Sequence, residues 1–186
     1  MDATTRLPAE ILQLGDPRLR WPSKAVKDAR TPATRQVLAE LHAMLAEFRA
    51  AHGFGRAIAA PQIGRRVRVV AFDLGRGARA LVNPRIVERS GATVVLWDDC
   101  LCFPDLLVRV RRARSITLEF EDESGHAQRW SDLEPAESEL FQHELDHLDG
   151  VLALDRAVDA GSIVTRAEFA RERERFAALV DLPPRV

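Results

Sequence analysis

Residues 141–150 read "FQHELDHLDG", and no other stretch constrains the chain as tightly. Histidines four apart share one face of an α-helix, so His143 and His147 can turn their imidazoles on a single ion. Glu144 is rotated beside them, where it can reach a water at that ion without ligating it. The plain alternative is a solvated polar helix that carries two imidazoles. A catalytic metal site usually takes three protein ligands and keeps one position open. A third ligand therefore has to come from elsewhere in the sequence.

Several candidates can be weighed. In the extended pattern HExxHxxGxxH the third histidine would fall on Ala153, which excludes that class. Glu168 and Glu172 lie in "TRAEFARERERFAALV", where alternating charges suit a solvated helix face. His126 falls in a hairpin turn, and His42 and His52 belong to the first long helix. The helix dipole accounts for His52 near the end of that helix. Cys100 is the better candidate. "VVLWDDCLCFPD" places it beyond an apolar strand and before a proline-containing loop, and a thiolate is a strong ligand for a divalent transition metal. A small buried apolar residue is the other reading of a free cysteine, and it is the favoured one for Cys102.

Composition narrows the setting. The chain has 186 residues, 46% hydrophobic and 30% charged, with net charge −1. This suits one domain over residues 1–186. It argues against a large nucleic-acid or anionic-membrane footprint. No apolar run is long enough to span a bilayer, and "MDATTRLPAE" lacks the apolar core of a secretory signal. A cytoplasmic setting follows, in which the two cysteines stay reduced. A bond between Cys100 and Cys102, one residue apart, would be strained.

Residues 1–30 read as irregular, interrupted by Pro8, Pro17 and Pro22. A helix then starts at a Thr31 cap with Pro32 in its first turn, carries Val37, Leu41, Met44 and Phe48 on one face with Leu38 and Leu45 beside them, and ends at Gly53 and Gly55. "VRVVAFD", "ALVNP" and "ATVVLW" read as strands. "SITLEFEDESGHAQRW" reads as a hairpin turning near Ser124 and Gly125. A second helix is expected from about Glu137 to Leu148, stopping at Gly150, and a charged C-terminal helix with Phe169 and Phe176 on one side. The order of elements predicts an α+β fold.

Three segments together resemble the peptide deformylase family, whose motifs are Gly-x-Gly-x-Ala-Ala-x-Gln, Glu-Gly-Cys-Leu-Ser and Gln-His-Glu-x-Asp-His-Leu-x-Gly in that order. The third is matched in full from Gln142 to Gly150. "GRAIAAPQ" matches the first at Gly55, Ala59, Ala60 and Gln62, with Ala57 in place of the second glycine. "DDCLC" matches the second at Cys100 and Leu101, with Asp98, Asp99 and Cys102 as departures. "LQLGDPRLR" and "LVNPRIVERSG" also look like the family.

The resemblance implies a deformylase-like α+β fold, with antiparallel strands packed around a central HExxH helix between an N-terminal and a C-terminal helix. It implies that Cys100, His143 and His147 hold one divalent metal ion, Fe2+ in the cell, with Zn2+, Ni2+ or Co2+ able to replace it. Glu144 is then general base and acid, and Gln62 and the backbone N–H of Leu101 stabilise the oxyanion. The implied substrates are N-formylmethionyl nascent peptides met near the ribosome exit, and the implied state is a monomer. A deformylase-like metallohydrolase acting on another amide, or a non-catalytic metal-binding relative, is the alternative.

Read as chemistry, the assignments are coherent. The amide N–H₂ of Gln62 suits an oxygen that gains charge. Small residues at Gly55 and Ala57 let a peptide backbone approach, pairing as an added strand. Phe141, Leu140 and Ile58 are candidates for an apolar side-chain pocket, although core packing suits each of them. Ala57 is acceptable where its φ is negative. Asp98 and Asp99 bring carboxylates beside Cys100, and Cys102 brings a second sulfur. Leu107 stands where many bacterial members have arginine. Asp146 can orient a ligand or pair with Arg109, Arg111 or Arg112.

Overall fold

Short β-branched runs and the turns between them set the frame. The computed structural model describes residues 10–182, so Pro8 and the other residues before Glu10 lie outside the described residues. Strands β1 (Ala57–Ala59), β2 (Val69–Phe72), β3 (Arg79–Arg89), β6 (Ile116–Glu121) and β7 (Ala127–Trp130) form one antiparallel sheet in the order β1-β2-β3-β6-β7. Strands β4 (Thr93–Asp99), β5 (Leu106–Ala113) and β8 (Ile163–Thr165) form a second, in the order β4-β5-β8. The hairpin expected at Ser124 and Gly125 joins β6 to β7.

Helix α1 (Pro32–His52) packs on β1 and β2. Thr31 caps it by accepting from Thr34 N at 3.2 Å, Pro32 sits in its first turn, and Gly53 closes it in the left-handed region. Its buried stripe is Thr34, Leu38, Leu41, Leu45 and Phe48, with Val37 and Met44 only half-buried. The face is thus rotated from the expected one, with Thr34, Leu38 and Leu45 turned inward in place of Val37 and Met44.

Helix α2 (Pro135–Leu148) touches β1 of one sheet and β5 of the other, and ten of its residues are buried. It is the central helix, apolar toward the five-stranded sheet through Leu140, Phe141, Leu145 and Leu148. Gln142 locks it to the second sheet: Oε1 accepts from Ala113 N at 3.0 Å and Nε2 donates to Ala113 O at 2.9 Å. At its end, Gly150 has φ +76°, and a Cβ there would lie 2.4 Å from the carbonyl oxygen of Arg20. Only glycine permits that approach.

Strands β5 and β8 and the C-terminal helix differ from expectation. Strand β5 was hidden in "LLVRVRRA", where arginines break the apolar alternation; ion pairs accommodate them, Arg109 with Asp159 and Arg112 with Asp98 and Asp146. The charged C-terminal helix is two short ones, α3 (Arg166–Arg171) and α4 (Arg173–Ala177), broken at Glu172 (φ −119°, ψ 36°). The break has a packing reason. Two turns of continuous helix would separate Phe169 and Phe176 by about 10.5 Å along the axis. Here their rings stack at 5.5 Å, and both meet Trp97 edge-on at 5.6 and 5.5 Å. No helix among the described residues is long and apolar enough to cross a membrane.

Candidate metal centre

The centre lies where the end of β4 meets α2. Cys100 follows β4 directly, and α2 presents His143 and His147 one turn apart. All three are buried, and their ligand atoms lie within 4.8 Å of one another. Cys100 Sγ is 3.2 Å from His147 Nε2, which is 3.1 Å from His143 Nε2. Of the other residues considered as third ligand, none is near. Glu168 and Glu172 pair with Arg171, His126 with Asp122 and His42 with Glu123, while His52 stacks on Phe48.

The electrostatics show which atoms are spoken for. Asp98 accepts from His143 Nδ1 at 2.9 Å and from Arg112 Nη2 at 3.0 Å. Burial alone would keep His143 neutral, but the Asp98 carboxylate outweighs it and raises its pKa to about 9. Burial and the neighbouring His143 charge push His147 well below the usual range. His143 is thus the ring that favours the charged form and His147 the one that favours the neutral form, with their Nε2 atoms 3.1 Å apart. Burial drives Cys100 well up, and the nearby Cys102 sulfur adds to this. Asp98 itself is held below the usual carboxylate range, because His143 and Arg112 overcome the cost of burying it.

The donor set fits a divalent transition metal. One sulfur and two imidazole nitrogens converge in a buried space. His143 is oriented through its other ring nitrogen, as ligating histidines usually are. Two buried atoms beside the cluster, Glu144 Oε2 and His147 Nδ1, have no hydrogen-bond partner among the described residues. Burial lifts Glu144 to about 7, with Asp98 adding to it and His143 opposing it. A carboxylate left bare at that depth is costly unless something else occupies its other side.

The remaining predicted residues gather at the same place. Gln62, 1% exposed, accepts from Ala59 N at 2.7 Å and turns its Nε2 toward Cys102 Sγ at 3.5 Å and Cys100 Sγ at 3.8 Å. Leu101, Gly55 and Ala57 line a cleft of about 570 Å³ that also reaches His143 and Glu144. Ala57 lies in β1 opposite Phe72, outside the positive-φ residues, so its methyl group is accommodated. Ile58 and Phe141 are fully buried in the core, and of the three suggested pocket residues only Leu140 borders the cleft. Leu107 is also fully buried, packed with Trp97 and Phe169.

The reading from sequence had Arg112 among three candidate partners for Asp146 but missed the relay that Arg112 completes to Asp98 behind the centre. Asp146 pairs with both Arg112 and Arg156, and Arg112 joins it to Asp98. Of the three arginines offered as partners for Asp146, Arg112 is the one on β5 that turns inward, at 4% exposed. Asp99, by contrast, faces the cleft mouth and pairs with Arg166 at 3.1 Å.

Comparison with known proteins agrees with this geometry. A family model described as polypeptide deformylase matches residues 8–162. The chain belongs to the polypeptide deformylase family. It is 33% identical to a peptide deformylase of Thermotoga neapolitana over 152 residues, covering 82% of this chain and 88% of that one. It is 36% identical to one of Treponema pallidum over 148 residues, covering 79% and 86%. The crystal structure of the Thermotoga maritima deformylase superposes with TM-score 0.73 at 31% identity, covering 83% of this chain and all of that one. A Synechococcus elongatus deformylase in complex with actinonin gives TM-score 0.75 at 27% identity, covering 92% and 87%. The α+β deformylase fold, with strands around the HExxH helix, is what the sequence led one to expect.

Proposed function

We propose that this chain is a peptide deformylase that hydrolyses the N-terminal formamide of polypeptides, N-formylmethionyl nascent chains being its substrate class, and releases formate. The observation that carries the reading is Glu144. A buried carboxylate with one bare oxygen stands beside a Cys-His-His cluster, on the wall of a cleft of about 570 Å³. Cys100, His143 and His147 would hold the metal, ferrous iron in the cell, with zinc, nickel or cobalt as replacements. When bound, that ion supplies Lewis-acid activation of water and of the formyl oxygen.

The chain's own residues do the rest. Glu144 Oε2 takes the proton of the attacking water and later delivers it to the leaving amine, and a pKa near neutrality suits both transfers. Gln62 Nε2 and the Leu101 backbone N–H donate to the oxygen that becomes negative, each such donor being worth about 3 kcal/mol in the transition state. Ala59 fixes the Gln62 amide by donating to its oxygen, so the N–H₂ end points inward. Gly55 and Ala57 let the peptide backbone lie beside β1. Asp98 holds His143 by Nδ1 and leaves Nε2 for the metal. We take residues 1–186 as one domain that works as a monomer in the cytoplasm, near the ribosome exit.

The test is formate release from formyl-Met-Ala-Ser by protein loaded with Fe2+ or Co2+ without oxygen. Glu144→Gln should keep one equivalent of metal and lose roughly 10²–10⁴-fold in kcat. Full metal content with no formate from any formylated peptide would contradict the reading.

A further inference from the structure

The cleft does not end at Glu144. It continues along α2 past Leu140 and Glu139 to Ala136 and Pro135. Glu139 precedes His143 by four residues, so it shares that helix face about 6 Å away along the axis, roughly one turn toward the N-terminus. A side chain of three or four atoms on the first residue of a bound peptide spans that distance. Pockets for aliphatic side chains are walled mainly by apolar groups. This wall carries an ion pair instead. Arg56 Nη2 meets Glu139 Oε1 at 2.5 Å, and Arg56 Nη1 donates to Ala136 O at 3.0 Å.

A buried pair of this kind is weak evidence of a purely stabilising role. Burying two charges costs desolvation, and apolar replacements of similar volume are often neutral or stabilising. The Glu139 side chain is 5% exposed, whereas that of Arg56 is 28% exposed. A guanidinium has five N–H donors, and these two bonds use two of them. The other charged groups around the cleft have their own partners. Asp98 is engaged by His143 and Arg112, Asp99 by Arg166 and Arg49 by Asp73, while Glu134 stands exposed at the mouth. Arg56 and Glu139 together present donors and an acceptor side by side.

We propose that Arg56 and Glu139 determine which first residue this deformylase prefers, favouring a side chain that ends in a carboxamide over one that ends in a hydrocarbon. This rests on the deformylase reading: N-formylmethionyl chains remain substrates, and the pair sets how they rank against chains with other first residues. A carboxamide oxygen accepts from Arg56, and its N–H₂ donates to the second oxygen of Glu139. A hydrocarbon of the same length would strip water from the guanidinium and return nothing. The methionine thioether, a weak acceptor, falls between. Sites built to hydrogen-bond a substrate discriminate strongly against analogues that lack the group.

The test compares formyl-Gln-Ala-Ser, formyl-Met-Ala-Ser and formyl-norleucyl-Ala-Ser, whose first side chains are alike in length. With metal-loaded enzyme, kcat/KM should fall in that order, by about tenfold or more from glutamine to norleucine. The double variant Arg56→Leu with Glu139→Leu should reverse the order; the wild-type series decides by itself if that variant does not fold. Methionine or norleucine taken as well as glutamine by the wild type overturns the proposal and leaves deformylation standing. Formate from none of the three overturns the deformylase reading. Preference is then read by calorimetry on metal-loaded Glu144→Gln, where tightest binding of the glutamine peptide supports the pair's role and equal or weaker binding refutes it.

Discussion

Asp98→Asn probes how the carboxylate behind His143 governs metal binding. In the metal-free protein Asp98 raises His143 to about 9. At pH 7 a cation must therefore displace a proton held by two pH units, about 2.7 kcal/mol or roughly a hundredfold in apparent affinity. Replacing the carboxylate by an amide of the same shape removes that competition. It also removes the group that orients the ligand, which typically costs 10–100-fold in affinity. The two effects have similar size and opposite sign near neutral pH. Above about pH 9 only the second remains. Competition against a chromophoric chelator with Zn2+ should show the wild-type log K rising with pH more steeply than the variant's, by about one proton between pH 7 and 9. Cys100, pushed well up by burial, adds the same proton release to both. At pH 9.5 the variant should bind about 10–100-fold more weakly. Parallel curves with the same offset at every pH would show that Asp98 does not control the His143 proton.

Other outcomes follow from the same groups. Glu144→Gln should stabilise the metal-free protein above pH 7. A carboxyl lifted from 4.5 to about 7 costs the folded state once it ionises, about 3 kcal/mol at 1.36 kcal/mol per pH unit. The gain should be complete above about pH 7 and vanish below about 4.5, read from thermal unfolding of wild type and variant across pH. Gly150→Ala should lower Tm by about 4–8 °C, because left-handed strain and the approach to the Arg20 carbonyl together cost about 2 kcal/mol. Gln142→Ala leaves the buried Ala113 N–H without its side-chain acceptor, while Ala113 O keeps Ser138 Oγ at 3.0 Å, and should cost about 1–3 kcal/mol in chemical denaturation, with the m-value unchanged.

The ligand set was legible because its two halves obey local rules. A helical spacing of four fixes His143 and His147 on one face before any tertiary contact is known. Cys100 was legible only as a candidate, since nothing local brings the end of β4 against α2; that meeting depends on sheet pairing, and the ordered motifs supplied it by resemblance. The relay from Asp146 through Arg112 to Asp98 was beyond reach for the same reason. Which of Arg109, Arg111 and Arg112 faces inward depends on the register of β5, and that strand's arginines disguised it. The break between α3 and α4 was hidden too, because a charged run with Phe169 and Phe176 seven apart satisfies a continuous helix equally well. The ion pair in the cleft was invisible from sequence: Arg56 and Glu139 are far apart along the chain, and each reads alone as an ordinary surface charge.

X-ray absorption at the metal edge of protein reconstituted anaerobically with one equivalent of Co2+ or Zn2+ examines the centre itself. The expected spectrum fits one sulfur and two imidazole nitrogens, with the sulfur lost in Cys100→Ser and retained in Cys102→Ser. Two sulfurs in the wild-type shell, or loss of the sulfur only in Cys102→Ser, would place the metal on different side chains.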